Sequence, residues 1–210
     1  MSEDQVSYWY RRALHAFASI FIAYYLLPDH GEWSVVKKIA VILSISIFTA
    51  LEIYRIISKR NLLFGLRDYE KNRFGSYLYF GIGAAVLLLL FEQQISIPCI
   101  VSASLIDPVA GEMRKRGALY AYALSVTLSF AIFLVVWYNS PSPFSIIVPL
   151  IAALAITAGE FKKSKLLDDD LVMQILPAVV IAILYYLVMQ IYGISILPDK
   201  IIYPIFGVDA

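Results

Sequence analysis

Seven apolar stretches separated by short polar turns limit this chain more than any other feature. They run from Tyr8 to Leu27, Val35 to Ile57, Tyr77 to Phe91, Ile95 to Ile106, Leu119 to Trp137, Phe144 to Ala158 and Leu171 to Ile191. A hydrocarbon core about 30 Å thick takes about 20 helical residues at 1.5 Å each. Backbone N–H and C=O groups find no water inside it, so each stretch must satisfy them by helix formation. With 60% of the 210 residues hydrophobic and 16% charged, the composition argues against a water-soluble fold. The expectation is an all-α, polytopic transmembrane helical bundle of about seven spans, forming a single integral membrane domain over residues 1–210.

The fourth stretch, at twelve residues, is too short to cross alone. It is expected either to end inside the membrane or to be continued by the segment after Asp107. No small-residue cleavage site follows the apolar run that begins at Ala13, so that run reads as a retained first span. Cys99 has no second cysteine to pair with and reads as apolar filler.

The basic residues fall on alternate connections. All but Lys37, Lys38 and Lys200 of the 17 Lys and Arg lie at the chain start, at the end of the second stretch or after it, after the fourth or after the sixth. The positive-inside rule then predicts a cytoplasmic N-terminus and three cytoplasmic basic loops. The carboxylates Glu52, Glu70, Asp107, Glu112, Glu160 and Asp168 to Asp170 fall at the same end of the spans. No Asp, Glu, Lys, Arg or His occurs between Ala118 and Gly159 or between Leu171 and Leu197, whereas ion-coupled carriers usually hold such groups near the midplane. The net charge of +1 gives no electropositive surface for nucleic acid. Acids and bases gathered at one membrane face suit phosphoryl transfer from a nucleotide, with carboxylates for Mg²⁺, cations for phosphate oxygens and a base for the attacking alcohol.

Five elements carry this chemistry. Arg11 and His15 stand four apart, on one helical face at the mouth of the first span. Glu52 and Arg55 lie one turn apart and read either as ligand-binding groups or as a structural ion pair. Arg67, Glu70 and Arg73 recur every third residue before Gly75, as a phosphate grip or as a solvated loop. Asp107-Pro108 reads as a helix cap and first-turn proline, and with Gly111, Glu112 and Arg114-Lys115-Arg116 as a platform for metal and triphosphate. Glu160, the lysines from Lys162 and the run Asp168-Asp169-Asp170 precede the last span, where the acids also complement a helix dipole.

In this order the elements resemble the membrane family of CTP-dependent lipid-alcohol kinases: dolichol kinase, phytol kinase and the yeast-type diacylglycerol kinase. The motifs are Arg11-Arg12-x-x-His15, Glu52-x-x-Arg55, Arg67-x-x-Glu70-x-x-Arg73-x-Gly75, Asp107-x-x-Ala110-Gly111, and Glu160 followed by the acidic run and Pro177. The resemblance implies transfer of the γ-phosphoryl group of CTP to an isoprenoid alcohol at the cytoplasmic face of the membrane, with Mg²⁺. On that reading Asp107, His15 and Glu160 are catalytic, Asp107 and Asp168, Asp169 and Asp170 hold the metal, and Glu52 and Glu70 meet the lipid substrate. Arg11, Arg55, Arg73, Arg114, Lys115, Arg116 and Lys162 bind the nucleotide. A CTP-dependent CDP-lipid synthase and a non-enzymatic membrane carrier or scaffold are the alternative expectations.

Overall fold

The computed structural model describes residues 3–59, 70, 72–161 and 168–205, and among these the chain is helical without strands. Its α-helices are α1 (Glu3–Phe17), α2 (Gly31–Ser58), α3 (Ser76–Leu90), α4 (Gln93–Met113), α5 (Ala118–Trp137), α6 (Phe144–Phe161) and α7 (Asp169–Tyr192). Five of them, α2 and α4 to α7, are long and apolar enough to cross a membrane, and α3 is a shorter apolar helix. Successive helices run up and down, so the ends of α2, α4 and α6 meet the starts of α3, α5 and α7 at one end of the bundle. The centre is made by α3 to α7, with α4 the most enclosed, while α1 leans on α4 and α2 mainly on α3.

The first apolar stretch is not one α-helix. After α1 the chain tightens into a 3-10 helix, Ala18–Leu26. Three residues per turn put positions three apart in one row. Ser19, Ile22 and Tyr25 therefore face the bundle, with Ser19 and Ser104 of α4 joined through their hydroxyls at 2.7 Å. Ala18, Phe21 and Tyr24 form the neighbouring row.

The longest helix, α2, buries Ser34 and Lys37 near one end and Glu52 and Arg55 near the other, while its Ile39, Ile42, Leu43, Ile47 and Phe48 face outward. In water this pattern would cost apolar exposure along the whole helix. Against lipid it is the favourable arrangement, because only the charges need protein partners.

The fourth stretch takes the second of its two expected courses. Helix α4 continues through Asp107 and Pro108 to Met113. Asp107 is thus inside a helix and does not cap one, which corrects the reading of Asp107-Pro108 as a helix start. Proline in a helix removes the donor to the carbonyl four residues back. For Pro98 that carbonyl belongs to Gln94, and the indole Nε1–H of Trp137 on α5 donates to it at 2.9 Å. Close approach of α6 and α7 depends on Gly159, where a Cβ would stand 3.1 Å from the Met173 backbone.

At the end opposite the basic loops, residues 194–205 lie across the bundle without regular structure. Ile196 is fully buried. The Gln93 side chain accepts from the Ile201 and Ile202 N–H groups and donates to the Ile202 carbonyl, Gln94 donates to the Pro198 carbonyl, and Ser140 donates to the Ile196 carbonyl. Lys200 reaches Asp29 at 3.4 Å, and the buried Lys37 holds the same carboxylate at 2.5 Å while lying over the Tyr24 ring.

Replacing Trp137 with Phe is expected to cost about 1–3 kcal/mol, because the buried Gln94 carbonyl loses its donor. Adding Pro98→Ala, which restores a backbone N–H, is expected to recover part of that loss in thermal unfolding in detergent. Partial burial of Asp29 would raise its pKa, but Lys37 and Lys200 outweigh it and hold the carboxyl below its usual range. A lowered folded-state value gives stability that is present above the ordinary carboxylate pKa and lost as pH falls through the folded value. Protease cleavage within 194–205 is accordingly expected to rise under acid conditions, and to rise at neutral pH in Asp29→Asn.

Candidate functional site

Six ion-bearing segments converge at the end of the bundle that carries the basic loops. The first node joins α2 to the start of α3. The Arg55 guanidinium donates to both Glu52 oxygens, at 2.7 and 2.9 Å, and to the carbonyls of Glu70 and Arg73 at 3.1 and 2.6 Å. Glu52 in turn accepts from the Gly75 N–H at 2.9 Å and from the Tyr77 hydroxyl, while Glu70 accepts from the Ser76 N–H at 3.2 Å. The first N–H groups of a helix have no partners within it, and here two carboxylates supply them, favoured further by the helix dipole.

The second node joins α1, α4 and α7. His15 lies between two carboxylates, its Nε2 3.8 Å from Asp107 and its Nδ1 3.9 Å from Asp170. One turn away, Arg12 donates to Glu112 at 2.8 Å. Gly111 leaves the room for it, since a Cβ there would stand 3.2 Å from the guanidinium. Gln174, one turn along α7, donates to the Asp170 carbonyl and to the Phe80 carbonyl of α3, fixing α7 against α3.

The third node surrounds the start of α7 and the end of α6. Asp168 caps α7 by accepting from the Asp170 N–H at 3.3 Å. Burial, and then the neighbouring Asp169, push its carboxyl up to about 6, with the Arg73 charge acting the other way. A cation there would offset the repulsion between the adjacent carboxylates. One oxygen from each of Asp168, Asp169 and Asp170 lies within 4.8 Å of the others, an all-oxygen set that fits the donor preference of Mg²⁺. Arg114 pairs with Glu160 and lies 5.0 Å from the Phe161 ring centre, and Lys115 reaches Glu112 at 3.0 Å.

Beside these nodes a cavity of about 480 Å³ opens between α1 with its 3-10 extension, α2 and α3. Its walls are Leu14, Phe17, Phe21, Ile45, Phe48 and Phe80, and its polar end carries Arg11, His15, Glu70 and Tyr77. The row of the 3-10 helix that carries Ala18 and Phe21 forms one side. Both the size and the balance of apolar wall to few polar groups are those of a ligand pocket.

Several expected site residues are therefore brought together: Arg11, His15 and Glu70 at the cavity, His15 with Asp107 and Asp170, and Arg73 with Asp168. Others have different work. Arg55 is expected on the nucleotide, but its guanidinium is 2% exposed and spans Glu52 and two carbonyls. Glu52 is expected on the substrate, but it is fully buried and caps α3. Glu160 is expected to be catalytic, but its side chain is enclosed behind Arg114, with Oε2 lacking a hydrogen-bond partner. Arg114 and Lys115 are engaged by Glu160 and Glu112, and Arg116 is exposed. Lys162 lies outside the described residues, as does Arg67.

Tyr77, Phe80 and Gln174 belong to the site without carrying any of the motifs above, whereas Glu112, expected in the platform after Asp107, pairs with Arg12. For Gln174 a signal existed, because an amide in an otherwise apolar helix must find partners. Compared with known protein families, curated proteins and solved structures, the chain matches none.

Replacing Glu52 with Ala strands the Arg55 charge and uncaps α3, and is expected to cost about 3–5 kcal/mol. The loss should appear as lowered thermal stability of the purified protein in the absence of any ligand. Equal stability of the variant would return Glu52 to the set of ligand-binding residues.

Proposed function

We propose that this chain is a membrane lipid kinase that transfers the γ-phosphoryl group of CTP to an isoprenoid alcohol. On this reading it crosses the bilayer about seven times with its N-terminus and the charged end of the bundle in the cytoplasm. The observation that carries the proposal is the double position of His15. It lines the polar end of the apolar cavity and it also stands between Asp107 and Asp170. A lipid held there keeps its tail among Phe17, Phe21, Ile45 and Phe48, avoiding about 0.8 kcal/mol for each CH₂ that would otherwise meet water. Its hydroxyl then lies beside the carboxylate cluster.

In the proposed reaction the lipid hydroxyl oxygen bonds to the γ-phosphorus, the bond from that phosphorus to the β-bridging oxygen breaks, and CDP leaves. His15, at the polar end of the cavity, receives the hydroxyl proton. Arg11 and Arg73 face the phosphate charge, since Arg55 is committed elsewhere. Asp168, Asp169 and Asp170 would hold Mg²⁺, which neutralises charge on the triphosphate. Excluding water from the apolar cavity favours the alcohol over hydrolysis.

Purified protein incubated with γ-labelled CTP, Mg²⁺ and a polyprenol is expected to yield labelled polyprenyl phosphate and CDP. Ala18→Trp, which fills the cavity, is expected to raise the KM for the lipid by about tenfold or more while Mg²⁺-CTP still protects the variant in a thermal melt. Release of pyrophosphate in place of CDP would assign attack at the α-phosphorus and a CDP-lipid synthase. Absence of both products together with absence of nucleotide protection would leave a carrier or scaffold.

A further inference from the structure

The cavity beside the charged nodes has a direction. Its walls run from Arg11, Glu70 and Tyr77 at one end to Phe21, Ile45 and Gly81 at the other, and its charged groups belong to the first end. From Arg11 to Phe17 at 1.5 Å per residue, and on to Phe21 at 2.0 Å, the wall made by α1 and its 3-10 extension is about 17 Å long. That is slightly more than half of a hydrocarbon core about 30 Å thick, or the depth of one leaflet. A lipid seated along this wall has its head at the charged end of the bundle and its tail toward the midplane. It already has that orientation in the leaflet at that end.

The cavity is closed behind and open in front. Behind it α2 meets α3, since a Cβ on Gly81 would stand 3.2 Å from Ile45 Cδ1. Arg12–Glu112 and Ser19–Ser104 hold α1 and the 3-10 segment on α4. Helix α2 is fastened near its two ends: Lys37 reaches the Leu27 carbonyl at 3.0 Å and Asp29, and Glu52 and Arg55 hold the start of α3. Between these fastenings none of residues 38–51 is buried, a length of about 20 Å. Ser46 and Thr49, within it, donate to carbonyls of α2 itself. The wall residues Phe17, Phe48, Leu14 and Phe21 are 67, 52, 46 and 42% exposed, whereas Phe80 behind them is 3% exposed. Side chains that line a cavity and also face outward connect its interior with what surrounds the helices, and around a membrane bundle that is lipid.

Lipid tails are as apolar as leucine, so a tail that moves from bilayer to cavity gains nothing from the hydrophobic effect. What remains is packing against fixed walls and hydrogen bonding of the head, and both act only over the length of the cavity. We propose that the cavity is a side-entry lipid site, into which a long-chain membrane alcohol slides between the 3-10 segment and α2 without leaving its leaflet. The hydroxyl and the first part of the tail are held, and the rest of the tail stays in the bilayer. The substrate class is then alcohols selected at the head end and of no fixed length. This inference rests on the reading of the cavity as the lipid site of the phosphotransfer, and deepens it by giving the route of entry and the part of the lipid that the protein measures.

The test uses full-length protein in lipid nanodiscs without nucleotide, so the result is independent of turnover. Geranylgeraniol carrying a photoreactive diazirine in its tail is expected to label cavity-wall residues such as Phe21 and Phe48, located by mass spectrometry. Unlabelled geranylgeraniol and a long polyprenol, compared at equal mole fraction in the bilayer, are expected to compete within about twofold of each other. Ala18→Trp is expected to lower labelling by about tenfold and the smaller Ala18→Leu by less, and ligand-free thermal melts show whether each variant is folded. In electron paramagnetic resonance, a nitroxide near the hydroxyl of a long-chain alcohol should be immobilised, while one at the far end of the tail keeps the mobility of bulk lipid. Competition that weakens about tenfold or more as the tail lengthens, or immobilisation of the far nitroxide, describes a closed cavity that measures length and would overturn the proposal. Labelling unchanged in folded Ala18→Trp, or no labelling at all, would remove the lipid site itself. Protein that binds both alcohols alike yet forms no CTP-dependent product loses the kinase reading alone, and protein that forms product only from short alcohols loses side entry alone.

Discussion

Charge burial at the end of α2 is the constraint around which the charged end of the bundle is arranged. Helix α2 offers an apolar surroundings almost its whole surface, and it meets the bundle mainly through α3. Glu52 and Arg55 would each be costly in that setting alone, and together they still require further hydrogen bonds. They find them in the exposed N–H groups at the start of α3 and in two carbonyls of the preceding loop. One buried ion pair thereby joins α2 to α3 and gives α3 its start. It also sets the position of Tyr77 and Glu70 at the polar end of the cavity.

The same logic recurs at the middle and far end of the bundle. Pro98 removes a helical hydrogen bond in α4, and an indole from α5 replaces it. The turns at the far end leave Gln93, Gln94 and Ser140 near the surface of the bundle, and the chain's last described residues lie over them and use their hydrogen-bonding capacity. Trp137, Gln93, Gln94 and Ser140 each connect separate segments and so hold those segments in register.

This economy separates the charged residues into two populations. Arg55, Glu52 and Glu160 are enclosed and hold the scaffold. Arg11, His15, Glu70, Asp107 and the acids at the start of α7 stand around a cavity or beside it. The second population is what a reaction at the lipid boundary requires, because an apolar wall and ionisable groups meet there within one side chain, His15. The 3-10 form of residues 18–26 contributes directly, since its threefold row turns Ala18 and Phe21 to the cavity while Ser19 and Tyr25 face α4 and the core.

Much of the architecture was legible in the order of residues. Apolar stretch length marked α2, α3 and α5 to α7, and the alternation of basic and neutral turns marked the end where Arg12, Glu52, Asp107, Glu160 and Asp170 would gather. Hydropathy is close to additive along a chain, so a local run reports whether a helix prefers lipid without knowledge of its neighbours. The course of α4 through Asp107-Pro108, the inward turn of Arg55 and the enclosure of Glu160 were not legible. Neither was the pairing of Arg12 with Glu112, residues 100 positions apart. Sequence by itself determined that this is a helical chain suited to apolar surroundings, with most of its basic residues at one end. Tertiary structure decided which charges brace the bundle and which face the cavity. That division depends on distances of a few ångströms between helices, and in a low-dielectric setting those distances dominate the electrostatic energy.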